Sequence, residues 1–248
     1  MWDVKEVSKF SGADVLITGL PGIGNIGKIA VDFMIDELKA KKVYEFFSHS
    51  MPHSVFVNED NLVDLPKIEL YNYKKILFLA GDVQPTDEPS CYAFCEKILD
   101  IFEKRKGKEI ITLGGIGLRK IPKTPQIYCT GNDEKIIKKY KKGVKLNPEV
   151  FGVVGPIMGV AGLLLGLAKK RNIPAISMLA ETFAHPAYVG LRGSKSILEI
   201  LDKKLELKLD LKNLDKEIDT IEEQVKHGKT LSPEKLKYAK PKDTSYIG

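Results

Sequence analysis

The chain has 248 residues and a mass of 27.7 kDa, with 43% hydrophobic and 29% charged residues, enough to bury one large core and too apolar for a disordered polymer. Its formal net charge of +6 is unevenly placed: from Lys226 onward six lysines stand against Glu234 and Asp243, which leaves the preceding chain close to neutral. Such a balance argues against a nucleic-acid partner, because phosphate neutralisation needs a broad basic face.

In chain order, the first ten residues, MWDVKEVSKF, hold no apolar run suited to a signal peptide. DVLITGL (14–20) predicts a short buried strand and IGKIAVDFMIDELKA an amphipathic helix. KKVYEFF is the next strand, and VFVN–ED–NLVDL predicts a hairpin that adds antiparallel pairing near one side of the sheet. KILFLAG (75–81) leads into a helix over EPSCYAFCEKILDIFEKRKG that should stop near Gly107. EIITLGG (109–115) and a helix in DEKIIKKYKKG follow. Residues 151–168 carry no charge, which is the lower length limit for a membrane span. FGVVGP nevertheless predicts a strand closed by Pro156, IMGVAGLLLGLAKKR a helix, and IPAISMLA the next strand. A unit buried on both sides gives the same hydropathy, so no membrane partner is expected.

Strands alternating with helices predict a three-layer α/β/α sandwich with a mainly parallel sheet, of phosphorylase- or hydrolase-like architecture, over residues 1–205. SILEILDKKL should pack back on that sheet. A helical segment follows over 206–228, with Asp210 as its N-cap and a stripe of Leu211, Leu214, Ile218, Ile221 and Val225. The stripe must cover a hairpin partner, the core or another subunit. Residues 229–248 form a basic tail.

Several groups could carry chemistry. Gly22-Ile23-Gly24-Asn25-Ile26-Gly27 is a literal GxGxxG between a strand and a helix, with Glu45 placed where a ribose-binding acid would sit. Gly19-Leu20-Pro21 intervenes, however, where a dinucleotide fingerprint wants its tight turn immediately after the strand. Glycines demanded by close packing are the competing explanation. Gly81-Asp82, Gly114-Gly115-Ile116-Gly117 and Gly155-Pro156 should gather at the carboxyl edge of the sheet, with Asp82, Arg119, Glu181, His185 and Arg192 as the available polar groups. They form no diagnostic spacing; G-x-S-x-G, P-loop and HExxH motifs are absent from the sequence. No catalytic residue, metal ligand or cofactor is therefore assigned.

His49 and His53 are four apart, but Pro52 breaks a helix there, so they read as loop histidines. Cys91 and Cys95 share a helical face as packed thiols; with Cys129 they include no CxxC, as fits a reducing cytoplasm. The lysines at 135, 138, 139, 141, 142 and 145 follow Asp133 and Glu134, matching the dipole of a solvated helix. The terminal Ser245-Tyr246-Ile247-Gly248 offers two apolar anchors and a carboxylate after a basic approach, which suits capture in a pocket. Tails on one oligomer would gain from effective concentration.

GLPGIGNIGKIAVDFMIDEL, FLAGDVQP, LGGIG, VFGVVGPIMGVAGLLLGLAKKRNIPAISMLAET and the terminal YIG together resemble the archaeal branch of the proteasome assembly chaperone family, over roughly residues 10–225 and the tail. The resemblance implies a fold similar to purine nucleoside phosphorylases and a cytoplasmic homo-oligomer, ring-like in assembly, without established catalysis. It also implies docking of Tyr246, Ile247 and Gly248 onto α subunits of the 20S proteasome, with a paralogous chaperone as a further candidate partner. The family's docking motif is hydrophobic–Tyr–any residue; here Tyr246 is third from the end and follows the polar Ser245, a shifted register. The alternative function is a nucleotide-binding enzyme, nucleoside phosphorylase-like or ATP-grasp-like, that uses the glycine-rich strand ends.

Overall fold

The computed structural model describes residues 1–58, 60–152, 154–185 and 188–226. Along the chain run β1 (Asp3–Glu6), β2 (Val15–Thr18), a 3-10 turn (Ile23–Asn25), α1 (Ile26–Glu37), β3 (Lys41–Phe47), β4 (Phe56–Val57), β5 (Val63–Asp64), β6 (Ile68–Tyr73), β7 (Ile76–Gly81) and α2 (Glu88–Lys104). Then come β8 (Glu109–Leu118), β9 (Ile127–Gly131), α3 (Glu134–Lys141), α4 (Gly159–Lys170), β10 (Ala175–Phe183), α5 (Leu191–Leu205) and α6 (Lys212–Lys226).

Eight strands form one sheet in the order β1-β3-β6-β7-β2-β8-β10-β9. Its centre, β7, β2, β8 and β10, is parallel and buried on both faces, which explains the unbroken apolar runs there. Side chains alternate across each strand, so Ile17, Ile111 and Met178 meet α1 and α5 on one face. Leu16, Leu77, Leu79 and Ile110 meet α2 and α4 on the other. The three-layer α/β/α sandwich is thus realised.

Local signals place α2. Asp87 Oδ1 accepts the Ser90 N–H at 2.8 Å, Pro89 occupies the first turn, and Lys106 leaves at φ +60 just before Gly107. Cys91 and Cys95 are buried on its inner face. Asp210 Oδ1 accepts the Lys212 N–H at 3.1 Å and starts α6. Leu214 and Ile218 then bury against α5 and the core, and Lys195 of α5 pairs with Asp215 at 2.5 Å. The first half of the stripe therefore covers the core; Ile221 and Val225 fall outside the described side chains.

Two expectations need correction. FGVVGP is not a strand: the described residues of 148–158 form turns and loop, Gly152 turns at φ +77, and Phe151 stands fully exposed. The free side of β10 is taken instead by β9, antiparallel to it, and the chain just before that segment meets β9 in a single bridge, Tyr128 with Asn147. The hairpin at 55–65 forms, but as a separate two-stranded sheet; the antiparallel pairing on that side comes from β1, β3 and β6. No helix among the described residues is long and apolar enough to cross a membrane.

At the amino edge, buried Glu109 on β8 accepts from Tyr140 Oη at 2.6 Å and Lys139 Nζ at 2.5 Å, tying α3 to the sheet. Burial and that hydrogen bond push the Tyr140 phenol above its ordinary value of 10.0. Its folded pKa exceeds the unfolded one, so its contribution is intact below pH 10 and is lost as pH rises further. Tyr140→Phe should therefore make the alkaline loss of stability shallower by about 1 kcal/mol between pH 10 and 11, measured by urea unfolding. An unchanged slope would remove Tyr140 as a contributor.

Candidate functional site: the carboxyl edge of the sheet

The glycine-rich turn lies where β2 hands the chain to α1. A Cβ on Gly19 would sit 2.0 Å from Gly27 O, one on Gly27 2.6 Å from Leu113 O, and one on Gly115 2.2 Å from Ile23 O. These contacts are backbone to backbone. They seat the first turn of α1 directly on β2 and β8. Gly24 turns at φ +64, and its carbonyl accepts the Gly190 N–H at 2.9 Å, joining the start of α1 to that of α5. Protein atoms thus account for Gly19, Gly24, Gly27 and Gly115, as the packing explanation expects, whereas nothing lies within 4 Å of a Cβ on Gly22. The dinucleotide explanation also fails on topology. Glu45 lies on β3, three strand steps or about 14 Å from β2, and pairs with Lys42 at 2.5 Å and Lys5 at 3.5 Å. The Lys42 ammonium holds its carboxyl below the usual range.

The other polar candidates divide into two groups. Asp82 follows β7 and pairs with Lys28 at 3.6 Å; Lys28 also donates to Gly81 O at 3.0 Å and pairs with Asp32 at 3.0 Å. Glu181, on β10, accepts the Gln126 N–H at 3.0 Å. The ring of His185 stacks on Phe183 at 5.6 Å, and Arg192 Nη1 donates to Lys123 O at 3.3 Å. Arg119 is exposed beyond β8. Three strand steps, about 14 Å, separate Asp82 from Glu181. Gly155-Pro156 does not join them at a strand end, because no strand precedes it. His49 and His53 are exposed in the loop after β3. Among the described residues no three His, Cys, Asp or Glu side chains converge as metal ligands would.

Two residues that organise this edge escaped the sequence reading. Lys28 is the residue directly behind the glycine pattern, and its side chain is only 13% exposed. Gln84 donates to Pro21 O at 2.5 Å while its Oε1 accepts the Val160 N–H at 3.0 Å, so one amide clamps the glycine-rich turn to the start of α4. The adjacency of Lys28 to Gly27 could have signalled the first; nothing local signals the second. The edge is thus tied together by backbone contacts, ion pairs and the Gln84 amide.

A family model described as the PAC2 family matches residues 16–227. The chain belongs to the PAC2 family. Among PAC2-like solved structures, Pyrococcus furiosus PbaB, described as an archaeal proteasome activator, is 31% identical, covers 92% of this chain and 98% of its own, and has a TM-score of 0.83. Pyrococcus furiosus PbaA, described as an archaeal homolog of proteasome-assembly chaperone, is 25% identical, covers 91% of each chain, and has a TM-score of 0.77. The uncharacterized protein MJ1210 of Methanocaldococcus jannaschii is 29% identical over 99% of this chain and 96% of its own. The resemblance is borne out, and the fold places four of its motifs, at the end of β2 into α1, the end of β7, within β8, and through α4 and β10, while the terminal YIG lies outside the described residues.

Proposed function

We propose that this PAC2 protein is a non-enzymatic, proteasome-associated chaperone or adaptor that works in the cytoplasm as a homo-oligomer. The observation that carries this reading is the likeness along nearly the whole chain to PbaB, described as an archaeal proteasome activator, at 31% identity and a TM-score of 0.83. The wide separation of Asp82 from Glu181 at the carboxyl edge is consistent with a role in recognition. The core carries the oligomer, and the tails reach 20S proteasome α subunits through Tyr246, Ile247 and Gly248, which lie outside the described residues.

A three-residue tail contacts few atoms, so each docking event is weak and the assembly's affinity comes from several tails acting together. Deleting residues 246–248 should weaken capture of the 20S particle about a hundredfold while leaving the light-scattering mass unchanged. Full capture by the truncated protein would reject tail docking.

A further inference from the structure

β1 is the outermost strand of the sheet, paired with β3 on one side and with no strand of the described residues on the other. Val7 N donates to Val43 O at 2.9 Å, continuing the register that sets Lys5 opposite Glu45 and Asp3 opposite Phe47. Bonded positions alternate along an antiparallel ladder, so Asp3, Lys5 and Val7 turn their main-chain groups towards β3. The N–H and C=O groups of Val4 and Glu6 therefore face the open edge. Side chains alternate as well, and Trp2, Val4 and Glu6 share the face beneath α2, where Trp2 Nε1 donates to Ser90 O at 2.9 Å.

Beside this edge lies a cleft of ≈ 700 Å³, lined by Trp2, Val4 and Tyr44 from the sheet and by Lys97, Ile101 and Lys104 from α2. The three helical positions are spaced i, i+4 and i+7, which puts half-buried Ile101 between two exposed lysines on one face. The acidic groups at the cleft are already engaged: Glu6 pairs with Arg105 at 2.8 Å and Asp100 with Arg171 at 2.8 Å. Lys97 and Lys104 have no acidic partner among the described residues. Free backbone groups, an apolar floor and two uncompensated cations thus meet at one place.

We propose that this edge binds an extended acidic segment of another protein as an added strand, in the pattern acidic–x–apolar–x–acidic. Strand addition satisfies the outward groups of Val4 and Glu6, and every second side chain of the added strand faces the cleft. The central apolar side chain rests against Val4 and Ile101. The flanking carboxylates, about 13 Å apart along a strand, reach Lys97 and Lys104, about 10 Å apart along α2, with the flexible lysine stems taking up the difference. Charge selects this occupant. The chain's own tail carries six lysines against Glu234 and Asp243, and a two-fold pairing with a second copy would bring the same lysines towards each other. The shortness of β1 and its charged Asp3, Lys5 and Glu6 keep the edge from pairing with any passing strand.

This inference goes beyond the proposed function and does not depend on the tails. The probe is a synthetic peptide, Ser-Glu-Thr-Val-Thr-Glu-Ser with an amino-terminal fluorescein, titrated with the full chain by fluorescence anisotropy. It should bind saturably, and replacing both glutamates by lysine should weaken binding about tenfold or more. Val4→Pro removes an outward N–H without touching the bonds to β3, so it should weaken binding about tenfold or more with far-UV circular dichroism unchanged. Lys97→Glu combined with Lys104→Glu should do the same, whereas Val4→Thr, which keeps the outward groups, should bind as the wild type does. Absence of saturable binding, equal affinity of Val4→Pro and the wild type, or equal affinity for the lysine peptide would overturn the proposal. A light-scattering mass that falls in Val4→Pro would also overturn it, by giving the edge to a second copy. Deleting residues 246–248 should leave peptide affinity unchanged, so failure of tail docking and failure of this site are read separately.

Discussion

Replacing Gly19 by alanine should cost about 3 kcal/mol or more and leave little folded protein at 37 °C, because the new methyl has nowhere to go. It would lie 2.0 Å from Gly27 O and 2.7 Å from Val31 Cγ2, the first of which is backbone and cannot rotate away. Relief requires lifting α1 off β2, and α1 buries Ile26, Ile29, Ala30, Phe33 and Met34 against the sheet. A shift of the whole helix loosens those contacts together. Gly166 supplies the contrast. It is exposed within α4 with nothing within 4 Å of its would-be Cβ, so alanine there should stabilise by about 1 kcal/mol through helix propensity. Urea midpoints of the two variants should move in opposite directions. A Gly19→Ala protein with the wild-type midpoint would mean that α1 does not sit where described.

The second large effect is expected at Arg171, just past the end of α4. Its guanidinium donates to Asp100 at 2.8 Å, to Glu103 at 2.5 Å and to Glu96 of α2. The three carboxylates stand at i, i+4 and i+7 on one helical face, so a single fork binds α4 to α2 and neutralises a row of like charges. Arg171→Met keeps the aliphatic stem and removes the fork. It should cost about 2 kcal/mol, since charge-assisted bonds are lost and the carboxylates then repel, with the estimate restrained by their partial exposure. Two features identify the mechanism. The deficit should shrink in 1 M salt, where screening falls to about 3 Å, and adding Asp100→Asn should restore part of the loss. A salt-independent deficit would instead point to lost packing of the stem.

Much of the architecture is legible in the sequence because it is written in local periodicity. The apolar run at β2, the 3.6-residue pattern of α2 with Asp87 and Pro89 at its start, and the heptad-like opening of α6 each depend on near neighbours. The misses have physical causes as well. β1 is a mostly exposed edge strand, and β9 is a five-residue segment whose pairing partner, β10, comes much later in the chain. FGVVGP has strand-like composition, but the place beside β10 goes to β9. Composition states that a segment could pair, while pairing itself is decided by which neighbours are free.

The candidate site divides in the same way. The glycine pattern marked a close approach of chain to chain, and its local order could not say whether a ligand or Leu113 and Ile23 filled the space. Strand order decided that by inserting β6 and β7 between Glu45 and β2. It likewise set Asp82 and Glu181 apart and brought Gln84 to Val160. By itself the sequence determined the elements, the core-facing stripes, the motifs of its family and the basic, Tyr-Ile-Gly-ended tail, all of which follow from residues close along the chain. Tertiary structure alone decided which glycines touch backbone, which charges meet, and that β1 stands at an open edge beside Lys97 and Lys104. Those outcomes depend on contacts between residues distant in sequence, whose pairing no local preference encodes.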